Sequence, residues 1–357
     1  MRPTIDCSGT AGRRSRPPRR GLRAAASLSW SIVAAATAAA LFIGCSAAAS
    51  SPGYPIFALG GRLRSSSPGV PALADLPSGV KPRALAAAKL GPGVALAYDQ
   101  GSGRLLSLDG RSRAVRSWPL EAAEAWVSDG LVLTRSAAFI EGRGFRFALY
   151  RVSGVGPERL WDGELDCFPS DVAFAAGRAY LAGGDRADAE LWLWELSERG
   201  AEPLYSRPKR SDFLRVTPVG GRLLAFESQR VRERRPCVVR IVGDSPGGSP
   251  GETRDAPIVG LPGDALCLYG YGFEYGGRLV VPVALEGGDL GLAALVDAGG
   301  QFEVASLARG AKGVYLPLGP GPDGAYRYLA YDYEGDPTRR YLGRYDGSAV
   351  SLEFLGP

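Results

Sequence analysis

The 357-residue chain contains no histidine and no asparagine. Without an imidazole base, the Ser-His-Asp triad and its Cys-His relatives are excluded, and histidine-held zinc and iron sites go with them. Lysine is scarce: four lysines stand beside 38 arginines, a bias of the kind a GC-rich coding sequence leaves. Five cysteines are present, of which Cys167, Cys237 and Cys267 lie beyond the first fifty residues. Among those three at most one disulfide can form, and buried small apolar residues are the preferred reading. Convincing helical periodicity is also missing. No charged residue occurs between Arg23 and Arg62, and the first part of that run, residues 24–44, bears on location.

Residues 1–23 hold Arg2, Arg13, Arg14, Arg16, Arg19, Arg20 and Arg23 against the single acid Asp6. A basic start, an uncharged run and then small residues describe an export signal. Leu41-Phe42-Ile43-Gly44-Cys45, followed by small residues, resembles the lipobox of bacterial lipoproteins. That resemblance implies cleavage before Cys45 and a diacylglycerol thioether on its sulfur. Phe42 stands three residues before the cysteine, where the family prefers leucine. Two other readings remain: an uncleaved anchor, since about 20 apolar residues span a bilayer, and ordinary cleavage after Ala47-Ala48-Ala49.

Removing residues 1–44 takes seven bases and one acid, so the net charge falls from +5 to −1. Basicity is therefore a property of the leader, and nucleic-acid binding is not expected. The expected organisation is a signal peptide over 1–44, a lipidated cysteine with a flexible tether over 45–83, and a repeat domain over 84–357. Within the tether, IFALGGRL at 56–63 is a candidate strand to close the repeat ring by joining its last unit.

Beyond the tether, four- to eight-residue segments of β-type composition alternate with Gly, Pro and Asp turns. Gly177-Arg178, Gly221-Arg222 and Gly277-Arg278 mark one recurring turn, 44 and 56 residues apart. Gly93, Gly130 and Gly324 extend the series to six units. Four strands per unit and a period in the forties are the signature of β-propeller blades. The expected fold is all-β: a propeller of about six four-stranded blades, with five or seven as alternatives and a large sandwich or irregular sheet as the rival. No WD, kelch or calcium-repeat motif is present.

Two enzyme-like motifs dissolve on inspection. Gly243-Asp244-Ser245-Pro246-Gly247 fits G-x-S-x-G, but proline follows the serine where an oxyanion-binding N–H is needed. Gly319 to Gly324 fits G-x-G-x-x-G, but two prolines and a following strand make it a turn. Asp332, Glu334 and Asp336 offer oxygen donors without the D-x-D-x-D-G register of a calcium loop, and Asp185, Asp188 and Glu190 form a weaker set. No metal, cofactor or catalytic residue is assigned.

Aromatic residues give the binding candidates. Tyr269, Tyr271, Phe273 and Tyr275 alternate with Gly270 and Gly272, so an extended strand would put four rings on one face and a narrow surface on the other. Tyrosines, among them Tyr331 and Tyr333, crowd the last unit. The preferred reading is that these rings fill gaps between blades; the alternative is a ligand surface of Tyr271, Tyr275, Tyr331, Tyr333, Asp332 and Glu334. Arg230, Arg232, Arg234 and Arg235, with Arg207, Lys209 and Arg210, make a basic loop, read as a solvated edge rather than an anion-binding patch.

The functional expectation is a binding or scaffolding protein, exported and lipid-anchored at the periplasmic face or outer membrane. Its expected partners are the membrane, through the N-terminal lipid, and envelope proteins or glycans. The alternatives are a carboxylate-dependent enzyme acting on polysaccharide and a subunit of an envelope protein-assembly complex.

Overall fold

A glycine at one recurring position sets the period of the fold. Gly130, Gly177, Gly221, Gly277 and Gly324 all have φ between 74° and 82°, a conformation that glycine adopts without steric cost. Each sits between the first two strands of a four-stranded antiparallel unit. The structure, a computed structural model, describes residues 56–59, 62–65, 74–75, 88–91, 94–99, 103–109, 115–128, 130–187, 189–209, 213–229, 233–242, 253–332 and 339–356. The leader, Cys45, Tyr333 and Glu334 lie outside them, as does the whole 243–247 motif.

Among the described residues, six units follow one another as the blades of a β-propeller. Blade 1 is Ala88–Gly91, Val94–Asp99, Arg104–Asp109 and Val115–Pro119; blade 2 is Glu124–Ser128, Leu131–Ile140, Gly144–Ser153 and Gly156–Leu165. Blade 3 is Phe168–Ala175, Arg178–Gly184, Glu190–Ser197 and Gly200–Pro208; blade 4 is Phe213–Val219, Arg222–Ser228, Val238–Val242 and Arg254–Val259. Blade 5 is a split first strand, Ala265–Leu268 and Phe273–Tyr275, then Arg278–Leu285, Leu290–Asp297 and Phe302–Ala311. Blade 6 is Gly313–Pro320, Tyr326–Tyr331, Arg340–Tyr345 and Val350–Gly356. The outermost strands of blades 4 and 5 pair in parallel through Ile258↔Phe302 and Val259↔Glu303, making one continuous sheet.

The strand expected to close the ring behaves differently. Ile56–Leu59 pairs with Arg62–Ser65, which pairs with Ala74–Asp75, and blade 6 draws all four strands from its own segment. Only Gly60 and Gly61 separate the first two strands, so the local hairpin closes at small loop entropy. Gly319 to Gly324 is a turn, with Gly324 N–H donating to the Gly321 carbonyl at 3.0 Å.

The aromatic segment departs from a continuous strand. Leu268 pairs with Val283 and Phe273 with Val280, so two extra residues bulge out between them. Gly270, at φ +96°, lets the chain turn there, and its N–H reaches Ser228 Oγ at 2.8 Å in blade 4. The next N–H, of Tyr271, reaches the Val314 carbonyl in blade 6 at 3.3 Å. The narrow glycine face is used as its width suggests: a Cβ at Gly270 would stand 2.9 Å from the Val314 oxygen, and one at Gly272 2.9 Å from the Phe226 ring.

Gly270→Ala therefore combines an unfavourable φ with a backbone clash and is expected to cost about 3 kcal/mol. Gly276→Ala, at φ +59° with open space around it, should cost about 1 kcal/mol. Urea unfolding of the two variants checks the difference; equal losses would show that blade 6 is not pressed against Gly270.

Candidate functional site

The first strand of blade 3 carries a register shift between Pro169 and Asp171 that leaves Ser170 unpaired across the sheet. Bulges re-aim side chains, and this one redirects three groups toward blade 4. Ser170 Oγ donates to the Leu214 carbonyl at 2.7 Å. The Ser170 carbonyl accepts from Arg215 Nη1 and lies 3.5 Å from the Tyr271 hydroxyl, long for a hydrogen bond. Asp171 accepts the backbone N–H groups of Val172 at 2.8 Å and Val216 at 2.9 Å, one on each oxygen.

Arg215 is only 8% exposed, on the first strand of blade 4. Its guanidinium carbon lies 3.8 Å from the centre of the Tyr271 ring and 5.0 Å from that of Phe213. A cation over a ring face is attracted by the ring quadrupole, more strongly once desolvated. Arg215 Nε is buried without a hydrogen-bond partner, and an unused donor of this kind costs about 1–3 kcal/mol. Desolvation pushes Asp171 up to about 6, against the lowering effects of Arg215 and the two N–H groups. Three consecutive blades thus bring together a cation with a spare donor, an acid that titrates near neutrality, a hydroxyl and two rings. Such a set can bind a polar ligand.

The predicted residues fall in three settings. Tyr271 belongs to this cluster. Tyr275 packs edge-on against Tyr345 at 5.3 Å, beside Gly347, whose missing Cβ leaves room for it. Tyr331 lies 5.4 Å from Tyr315, with Arg340 over both rings at 5.7 and 5.8 Å, and Asp332 pairs with Lys312 at 3.2 Å. Most rings serve packing: Phe273 stacks on Tyr326 at 4.1 Å and near Tyr328 at 5.9 Å, and Tyr269 and Phe273 are buried in the core between blades 5 and 6.

Asp185 accepts the Ala189 and Glu190 N–H groups and so closes its own loop. Among the described residues no group of three acids or cysteines is placed to hold a metal ion. Arg234 pairs with Glu286 of blade 5 at 2.7 Å and Arg235 with Glu233 at 3.0 Å, so both arginines in the described part of that loop are ion-paired. Cys167, Cys237 and Cys267 are free thiols, and burial raises those of Cys167 and Cys237.

Asp171, Ser170, Arg215 and Phe213 escaped the sequence reading. Their signal is faint: one charge inside the apolar run Phe213–Val219, and a Pro-Ser-Asp entry into a strand.

No protein-family model matches the chain, and no curated protein sequence does. Solved structures resemble it in fold. Regucalcin, a calcium-binding protein from Agrobacterium tumefaciens, is 15% identical over 72% of this chain and 85% of its own, with a TM-score of 0.42. TolB from Acinetobacter baumannii is 9% identical over 73% of this chain and 62% of its own, at 0.43. The dihydro-heme d1 dehydrogenase NirN is 17% identical over 85% of this chain and 64% of its own, at 0.44. None carries a ligand or an activity over to this chain.

The folded chain holds the Asp171 proton more tightly than an unfolded chain does. The resulting stability is complete below about pH 4, is lost as pH rises through about 6, and amounts to at most about 3 kcal/mol. Asp171→Asn removes that titration. Urea unfolding from pH 4 to 7 should fall in the wild type and stay flatter in the variant; parallel curves would show an ordinary carboxyl.

Proposed function

We propose that the protein is an exported, lipid-anchored cell-envelope component whose propeller binds a ligand or partner. The observation that carries the binding role is the convergence of Asp171, Arg215 and Tyr271 from three blades, which sets a carboxyl, a guanidinium and a ring at one place. Binding sites combine apolar walls with a few convergent polar groups, and these residues supply both. The leader supports the location: seven arginines, an uncharged run and Gly44-Cys45. The reading attaches the chain through a lipid on Cys45, as the lipobox resemblance implies; among the described residues no helix is long and apolar enough to cross a membrane.

The runner-up, glycoside cleavage, needs two cooperating carboxyl groups. Asp171 has the raised pKa of a general acid, but the charged group acting on it is Arg215, not a second acid, and Asp332 is engaged by Lys312. Binding is the reading these contacts favour.

Protein extracted from membranes is expected to have the mass of residues 45–357 plus acyl chains, and Cys45→Ala should lose both cleavage and lipid. An uncleaved mass, or a cut beyond Cys45 without lipid, would remove the tether. Incubation with envelope polysaccharides should give binding without new reducing ends; release that depends on Asp171 or Asp332 would make it an enzyme.

A further inference from the structure

The first strand of blade 3 opens with Phe168, an aromatic residue 44% exposed and yet held in a fixed frame. Its ring lies 6.0 Å from Phe139, at an interplanar angle of 15°. Phe145 stands edge-on beneath both, at 5.0 Å from Phe168 and 5.2 Å from Phe139. Phe145 is buried and covered by Arg135 at 4.3 Å, which is itself paired with Glu124 at 3.0 Å. Gly183 makes this placement possible, since a Cβ there would run into the Phe168 carbonyl and stand 2.6 Å from Cys167 Sγ.

Arg186, exposed on the blade 3 loop, lies 4.8 Å over Phe139. Among the described residues its guanidinium has no carboxylate in ion-pair range. Asp166 accepts the Arg186 backbone N–H instead, at 3.1 Å. Beside the rings, Ala137 and Ala138 are exposed and Ile140 half-buried.

We propose that Phe139, Phe168 and Arg186 form a docking platform for an extended peptide segment of a partner protein, one that presents an apolar side chain next to a carboxylate. The inference rests on the binding reading above and gives it a partner chemistry. Rings already fixed in place lose little entropy on binding, and central aromatic and arginine residues carry most interface energy. The uncompensated guanidinium selects an acidic neighbour by charge complementarity. A sugar is disfavoured because the surround is alanine and isoleucine, and the nearby Ser136 hydroxyl is already bonded to the Ala138 carbonyl and the Arg146 N–H.

The test uses the full chain in mild detergent with N-acetyl-Gly-Phe-Asp-Gly-amide, its Asn analogue and cellohexaose, read by saturation-transfer NMR. The Asp peptide should bind, with saturation strongest on its ring protons. Phe168→Ala should weaken it ~tenfold, and Arg186→Gln ~threefold, the latter removing the preference for Asp over Asn. Both residues are exposed, so unchanged thermal midpoints confirm that the variants fold. Undiminished binding in both variants overturns the platform and leaves the binding reading standing. Cellohexaose binding that depends on Phe168 overturns the peptide class. Failure of all three probes, with Asp171 and Arg215 variants equally silent toward envelope extracts, overturns both readings.

Discussion

A four-stranded sheet with alternating side chains has two faces to cover, and here the neighbouring blade does the covering. Leu96, Tyr98 and Leu105 of blade 1 meet Val127, Val132 and Val152 of blade 2. Phe145, Phe147 and Leu149 of blade 2 meet Ala179, Leu181 and Leu196 of blade 3. Blades 3 and 4, 4 and 5, and 5 and 6 repeat the arrangement. Each large apolar side chain buried this way contributes roughly 1.5–3 kcal/mol, whereas an exposed ion pair gives about 0–1 kcal/mol. The seams therefore hold the fold, and the many arginine–carboxylate pairs at the rims adjust it.

The same constraint decides where function can sit. Side chains in the seams are committed to packing, which leaves the ends of first strands and the loops beside them. Ser170, Asp171, Arg215 and Phe168 all occupy first strands, and the bulge at Ser170 brings the first three together. In a chain without imidazole, an aspartate whose pKa burial raises, such as Asp171, can change charge near neutral pH.

The repeat was legible because it is local. Gly177, Gly221 and Gly277 each precede arginine, and a positive φ at such a turn is nearly a glycine property, so the residue reports the conformation directly. Alternation reported strands such as Glu190–Ser197 for the same reason. Tyr269 and Phe273 pack between blades, but Tyr269 to Tyr275 is not one strand, because alternation cannot register a bulge stabilised by Ser228 and Val314 of other blades. The Asp171–Arg215–Tyr271 cluster was illegible for a related reason: its members are 44, 56 and 100 positions apart and acquire meaning only when three blades stack.

The union of blades 4 and 5 has a mechanical consequence. Backbone hydrogen bonds cross between their outer strands, Gln229 and Arg235 donate to Leu268 and Leu266, and Arg222 pairs with Asp297. Elsewhere the seams rely more on side chains, which slide over one another with less loss than a ladder suffers when broken. The two blades thus act as a riveted plate among separate vanes. Shear and breathing are concentrated at the other seams, including the one between blades 3 and 4 where Arg215 reaches across to Ser170.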